Sequence, residues 1–187
     1  MPRSRKLLLT TLVVGATSAV AGLGVFAAFT ATTDNPGNSI ASGTVTISDN
    51  DASTALYALT NQGPGASTQR CIEVKYTGSL PSTVKLYRTG TLANGTAFNL
   101  TVERGSGAST FGSCTGFVSA GTLYTGTLGG LGTSYAGGVD AKGSSWAQND
   151  IVDYRFTISV VDDPTPNAHA AVVTSGAHGF TWEAQNN

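Results

Sequence analysis

Apolar and polar residues alternate with a period of two along most of the chain beyond residue 43, the pattern of strands that bury one face. The longest stretch is IVDYRFTISVV, residues 151–161, in which one face carries Val152, Tyr154, Phe156, Ile158 and Val160. Shorter alternating stretches predict strands at TVTIS (44–48), CIEVKY (71–76), TVKLYR (83–88), AFNLTVER (97–104) and GFTWEA (179–184). Further strands are expected at TALYALT (54–60) and TLYTGTL (122–128). The pattern therefore predicts about eight or nine short strands.

Two packed antiparallel sheets are the arrangement that buries one face of every predicted strand. The composition agrees, because 24 of the 187 residues are glycine and only 11% are charged, whereas helices need strong helix formers on their exposed faces. Residues 129–138, GGLGTSYAGG, interrupt the alternation and fit either a short helix or a loop. Asn94-Gly95 predicts a hairpin turn. We expect an all-β sandwich domain over residues 43–187.

Residues 1–27 have the pattern of a signal peptide. Basic residues at positions 3, 5 and 6 precede an uncharged run from Leu7 to Thr33. A small-x-small site ending at Ala27 predicts cleavage between Ala27 and Ala28. A permanent membrane anchor is the alternative, since about 20 apolar residues can span a bilayer. Both interpretations place the body of the protein outside the cytoplasm.

The remaining charge excludes nucleic acid as an expected partner. Without the three N-terminal cations, seven basic and eleven acidic residues remain, a net charge of −4. Nucleic-acid binding requires clustered Lys and Arg that neutralise phosphates, and the sequence has no such cluster beyond residue 27.

The only two cysteines, Cys71 and Cys114, form an even pair in a chain predicted to be exported. Disulfides persist in such compartments, so we predict a Cys71–Cys114 bond, with two buried free thiols as the alternative. A bond that closes a loop of this length stabilises a fold by about 4 kcal/mol.

The sequence displays no catalytic or metal-binding motif. His169 and His178 are the only histidines, and neither falls in a hydrolase or zinc signature. Asp49, Asn50 and Asp51 follow a predicted strand and leave two interpretations open, a calcium-binding loop and a plain turn. We predict no catalytic residue, no cofactor-binding residue, no metal ligand and no cofactor.

Both ends of the chain resemble the family of TasA and camelysin. The first segment, KLLLTTLVVGATSAVAGLGVFAAFTATTDNPGNSIASGTVTIS, shares an apolar run ending in AAF, a short polar stretch and SGT before the first strand. Near the end, SSWAQNDIVDYRFTISVV is similar to the family's tryptophan followed by an amphipathic strand, and GFTWEAQN is similar to its closing strand. Residues 60–130 match only by strand pattern.

The resemblance implies a jelly-roll-like antiparallel sandwich, export through a SipW-type signal peptidase, and residence at the cell surface or in a biofilm matrix. It also implies assembly into fibres with copies of itself or a related subunit, and contact with the membrane only through the signal peptide. In such fibres the segment freed by cleavage, here residues 28–42 with Ala28, Phe29 and Ile40, pairs as a strand with the neighbouring subunit.

The expected function is therefore that of a non-enzymatic fibre subunit. Two alternatives stay open: a monomeric surface module that binds polysaccharide or another surface ligand, and a secreted hydrolase or metalloprotease, for which no motif is present. Tyr and Trp residues are scattered through the sequence, which favours a role in the core over a sugar-binding platform.

Overall fold

The computed structural model describes residues 39–162 and 174–186, and the chain divides into two compact units, residues 1–41 and 42–187. The second unit carries all the strands reported below. The predicted signal peptide and cleavage site lie outside the described residues, as does Phe29. Of the predicted donor segment, Ile40 is described, and its side chain is fully exposed.

The second unit is a sandwich of two antiparallel sheets, which confirms the predicted all-β class. Its strands are β1 (Ile47–Asp49), β2 (Ser67–Tyr76), β3 (Ser82–Gly90), β4 (Phe98–Ser106), β5 (Val118–Thr127), β6 (Val139–Asp140), β7 (Ile151–Val160) and β8 (His178–Asn186). One sheet has the order β1-β2-β7-β4-β5 and the other β6-β3-β8. The larger sheet is therefore only partly covered by the smaller one.

Period-two alternation places the core between the sheets. On β7, Val152, Tyr154, Phe156 and Ile158 are all buried, as the sequence predicts. The fully buried ring of Trp146 meets Tyr76 edge-on, with ring centroids 6.4 Å apart. The other buried apolar residues of this core are Ile72, Val74, Val84, Leu86, Leu100, Val102, Leu128, Leu131 and Ala141.

The outer face of the larger sheet is covered by the loop between β4 and β5. The predicted disulfide is confirmed: Cys71 on β2 is bonded to Cys114 in this loop, with the two Cα atoms 5.1 Å apart. The N–H of Gly112 donates to the Cys71 carbonyl at 2.8 Å, and the N–H of Ala108 donates to Asp153 Oδ2 at 2.7 Å. These bonds fasten the loop to β2 and β7.

Residues 54–60, TALYALT, do not form the predicted strand. They follow β1 as irregular chain, and the apolar run that suggested a strand gave no information about a partner strand. Residues 129–138, which fit a helix or a loop, overlap one short 3₁₀ turn, Leu128–Gly130, and contain a second, Tyr135–Gly137.

The hairpin turn predicted at Asn94-Gly95 is also wrong. β3 and β4 lie in different sheets, so the connection between them crosses the sandwich instead of joining paired strands. Asn94 has φ −140°, whereas the tight hairpin turn needs a positive φ there. Gly95 then begins a 3₁₀ turn, Gly95–Ala97.

Within residues 39–162 and 174–186, no helix has the length and apolar character needed to cross a membrane.

Candidate functional site

A cavity of about 890 Å³, here called the edge groove, lies on the side of the sandwich where β8 ends the smaller sheet. Its floor is apolar and comes from the larger sheet and the chain beside it: Ile72, Phe98, Leu128, Ile158 and Val160. One wall is the chain from Thr174 into β8, and the other is residues 54–62. We call residues 54–62 the covering segment.

The edge of β8 that faces the groove has no partner strand in the part of the chain that the structure describes. β8 pairs with β3 along its whole length, from Ser82 opposite Asn186 to Gly90 opposite His178. No described strand follows it in the sheet order. This edge of nine residues, about 30 Å long, therefore presents backbone donors and acceptors that have no strand partner among residues 39–162 and 174–186.

Because no described strand lies beside the outer edge of β8, the core-facing side chains of β8 are less buried than those of β7. Phe180 and Trp182 point towards the core as predicted, but both are only half-buried and both line the edge groove. A smaller cavity of about 240 Å³, lined by Ile47, Asp49, Phe180 and Trp182 among others, lies between β1 and β8. The two outer strands β1 and β8 thus border the same open side of the sandwich.

The covering segment lines the groove without joining a sheet. Among the described residues, the backbone groups of 55–62 make no hydrogen bond to another backbone group. The segment is attached instead through side chains: Leu56 and Tyr57 pack against the core, and Tyr57 also contacts the opposite wall. Its ring lies with its centroid 5.6 Å from that of His178 and 6.2 Å from that of Phe180, so it bridges the two walls.

The hydroxyl of Tyr57 lies 2.6 Å from Nε2 of His178. The other ring nitrogen, Nδ1, lies 3.0 Å from the carbonyl of Gly176, which can only accept. In the neutral ring, Nδ1–H therefore donates to Gly176 and Nε2 accepts from the Tyr57 hydroxyl. Burial raises the pKa of Tyr57 well above its ordinary value, which keeps the phenol protonated as the donor.

Two acidic residues, Asp49 and Asp51, supply the carboxylates among the described groove residues. Burial raises the pKa of Asp49, while the N–H of Asp51, 3.1 Å from Asp49 Oδ1, opposes that shift. Asp51 Oδ1 in turn accepts from the N–H of Ser53 at 2.6 Å. The carboxylates thus bind backbone N–H groups, as in the plain turn that the sequence left open.

Asn50, between these two aspartates, faces the other side of the turn. Its Oδ1 accepts from the N–H of Glu73 at 3.0 Å, and its Nδ2 donates to the carbonyl of Ser109 at 3.0 Å. Over the described ranges, no group of three or more His, Cys, Asp or Glu side chains is placed to hold a metal ion.

The other residues singled out from the sequence are not brought together. His178 lies in the groove wall, whereas His169 is outside the described residues. The Cys71–Cys114 bond lies on the outer face of the larger sheet, opposite the groove floor formed in part by Ile72. The groove and the role of Tyr57 were missed from the sequence. The signal that could have found them is TALYALT, a strand-like stretch for which no partner was assigned.

Comparison with known proteins adds no family: no family model matches the chain, and no curated protein matches it. Fold and site define an antiparallel β-sandwich with an apolar groove along a strand edge that has no partner among the described strands.

Proposed function

We propose that this protein is an exported structural subunit of cell-surface or biofilm-matrix fibres, and that its edge groove accepts an extended segment of a neighbouring copy. The observation that supports this most is the unpaired edge of β8 beside an apolar groove. Such an edge binds an extended chain by adding it as a strand, with backbone hydrogen bonds providing affinity and alternate side chains filling the groove.

The proposed donor is residues 28–42, the segment that the resemblance assigns to strand exchange. It contains one charged side chain, Asp34, and its larger apolar residues are Phe29 and Ile40. A segment with so few charges suits a groove whose floor is apolar. Pro36-Gly37 restricts regular pairing to the parts of the segment on either side.

Donation of a segment from each copy to the next is a heterologous contact, which propagates into a filament instead of closing a dimer. The acceptor can be the same chain or a related subunit with the same open edge. The chain itself acts on no substrate in this proposal. Its function is mechanical and depends on the groove and the donor segment.

The test compares two purified chains, one beginning at Ala28 and one beginning at Gly43, by electron microscopy. Filaments from the first and dispersed particles from the second support strand donation. Dispersed particles from both, or filaments from both, contradict assembly through residues 28–42.

One observation favours a second candidate, a monomeric module that binds a surface polysaccharide. Tyr57, Phe180 and Trp182 line the same concave groove, and aromatic faces in a groove with polar neighbours suit sugar rings. This candidate requires a chain that binds polysaccharide equally well with and without residues 28–42, and that stays monomeric in both forms.

A further inference from the structure

We propose that residues 54–60 are a conditional strand, which closes the edge groove in the free subunit and pairs with the incoming segment of a neighbour. The incoming segment then lies between β8 and residues 54–60, hydrogen-bonded on both sides. This inference rests on the proposed function and adds to it the second pairing partner and the contact that must open.

The sequence of 54–60 has the character of a strand, although the structure shows no strand there. Apolar Leu56 and Tyr57 are both half-buried against the core, and Leu59 is half-buried as well. The chain carries no proline or glycine between Thr54 and Gln62, so no residue in it is incompatible with strand geometry. What residues 54–60 lack is an adjacent strand close enough to hydrogen-bond with their backbone.

The backbone N–H and carbonyl groups of the covering segment have room for new hydrogen bonds to a strand. Residues 55–62 make no backbone–backbone hydrogen bond with any described residue, although they line a groove opposite an equally unpaired strand edge. One carbonyl of the segment, that of Thr60, accepts from Gln62 Nε2 at 2.9 Å. Two rows of backbone groups with no backbone partner among the described residues, on opposite walls, can bind one extended chain between them.

A strand inserted into the groove needs hydrogen-bond partners on the covering segment as well as on β8. A strand that pairs only with β8 turns its other edge towards the covering segment, inside a groove with an apolar floor. Backbone groups left unpaired in such surroundings are strongly disfavoured, and native structures pair nearly all of them. Pairing with residues 54–60 satisfies these groups, and it converts irregular chain into a strand of the completed sheet.

Tyr57 is the contact that opposes insertion. Its hydroxyl bonds His178 at 2.6 Å, and its ring lies near Phe180, so this side chain joins the two walls that the incoming strand must separate. His178 is the first residue of β8, and the bridge therefore lies at the start of the edge to which the strand is added. Breaking it is a step that free subunits must complete before they join a filament.

The experiment measures amide hydrogen exchange of residues 55–60 in the chain beginning at Ala28, as free subunits and as filaments. We expect exchange in filaments to be at least about ten-fold slower, because those amides become hydrogen-bonded. Filaments in which these amides exchange as fast as in free subunits overturn the conditional strand and leave the fibre proposal standing. Absence of filaments overturns the fibre proposal and this inference together.

A matched pair of variants tests the bridge. Tyr57→Phe keeps the ring and removes the hydroxyl bond to His178, and we expect assembly about five-fold faster, the factor that one hydrogen bond contributes. Tyr87→Phe is the control, since the Tyr87 hydroxyl also bonds β8, at Glu183 Oε2 at 2.8 Å, but within the existing β3–β8 pair. Equal assembly rates for Tyr57→Phe and Tyr87→Phe overturn the role of the bridge.

Discussion

The hydroxyl of Tyr57 and Nε2 of His178 lie 2.6 Å apart, although 121 positions separate the two residues in the sequence. The bond connects the irregular chain after β1 to the first residue of the last strand. It closes the side of the sandwich where β1 ends the larger sheet and β8 ends the smaller sheet. The same side carries the apolar groove, so the Tyr57–His178 bond lies in the region that we propose to bind the incoming segment.

A charge in the groove wall should prevent assembly. Ala177 is exposed and lines the groove, so Ala177→Glu places a bulky carboxylate where the incoming segment must lie. Ala120→Glu is the matched control, since Ala120 is also exposed but lies on β5, the strand at the opposite edge of the larger sheet. We expect filaments from Ala120→Glu and none from Ala177→Glu by electron microscopy. Normal filaments from both variants would argue against the groove as the acceptor.

Loss of the disulfide should lower stability without changing the fold. The bond joins residues 43 positions apart, so the double variant Cys71→Ala/Cys114→Ala should lose about 4 kcal/mol of unfolding free energy. Urea denaturation followed by circular dichroism measures the difference. The groove lies on the other face of the larger sheet, and filament formation below the unfolding transition should persist. An unchanged urea midpoint would contradict a structural role for the bond.

Removal of the buried indole of Trp146 should lower stability by a similar amount. Trp146 is fully buried, and its backbone N–H and backbone carbonyl form a bridge with the backbone of Ser82. Trp146→Ala leaves a cavity in the core and should cost about 3–5 kcal/mol. Val118→Ala serves as the control, because Val118 is 66% exposed and its truncation should change stability by less than about 0.5 kcal/mol. Similar thermal midpoints for the two variants would be inconsistent with the packing described here.

Asp150 should make the fold sensitive to acid. The N–H of Ala147, 2.8 Å from Asp150 Oδ2, and then the ion pair with Lys142 hold the pKa of Asp150 below its ordinary value. A carboxyl whose pKa is lowered on folding adds stability above its unfolded-state pKa, and this contribution is lost as the pH falls through the lower folded-state value.

The corresponding variant is Asp150→Asn, which keeps an acceptor for the Ala147 N–H but removes the charge. At pH 7 it should be less stable than the parent by up to about 1 kcal/mol, and the difference should shrink as the pH falls below about 4. Urea unfolding at a series of pH values measures both effects. A difference that stays constant from pH 7 to pH 3 would rule out the lowered pKa as its cause.

The sequence predicted those parts of the fold in which each strand has partners on both sides. β7 lies between β2 and β4, and each of its inward residues from Val152 to Ile158 is buried as the alternation indicates. The Cys71–Cys114 bond was also predicted correctly, because two cysteines in a chain predicted to be exported leave few alternatives. The alternation on β7 and the number of cysteines can both be read from the sequence without knowing which strands pair.

Pairing between strands could not be predicted from the same signals. TALYALT is as apolar as a buried strand, but no described strand lies beside it, and only the topology shows that. Asn94-Gly95 has the composition of a hairpin turn and occupies a crossover between sheets. The half-burial of Phe180 and Trp182 likewise follows from the absence of a described strand next to β8, a property that neither residue encodes.

The most direct measurement is the binding of a synthetic peptide with the sequence of residues 28–42 to the chain beginning at Gly43, by isothermal titration calorimetry. We expect saturable binding of one peptide per chain, weakened at least about ten-fold by Ala177→Glu and unchanged by Ala120→Glu, because strand addition depends on the groove wall. A scrambled peptide of the same composition should bind more weakly. No saturable binding, or binding that Ala177→Glu leaves intact, would contradict donation of this segment to the edge groove.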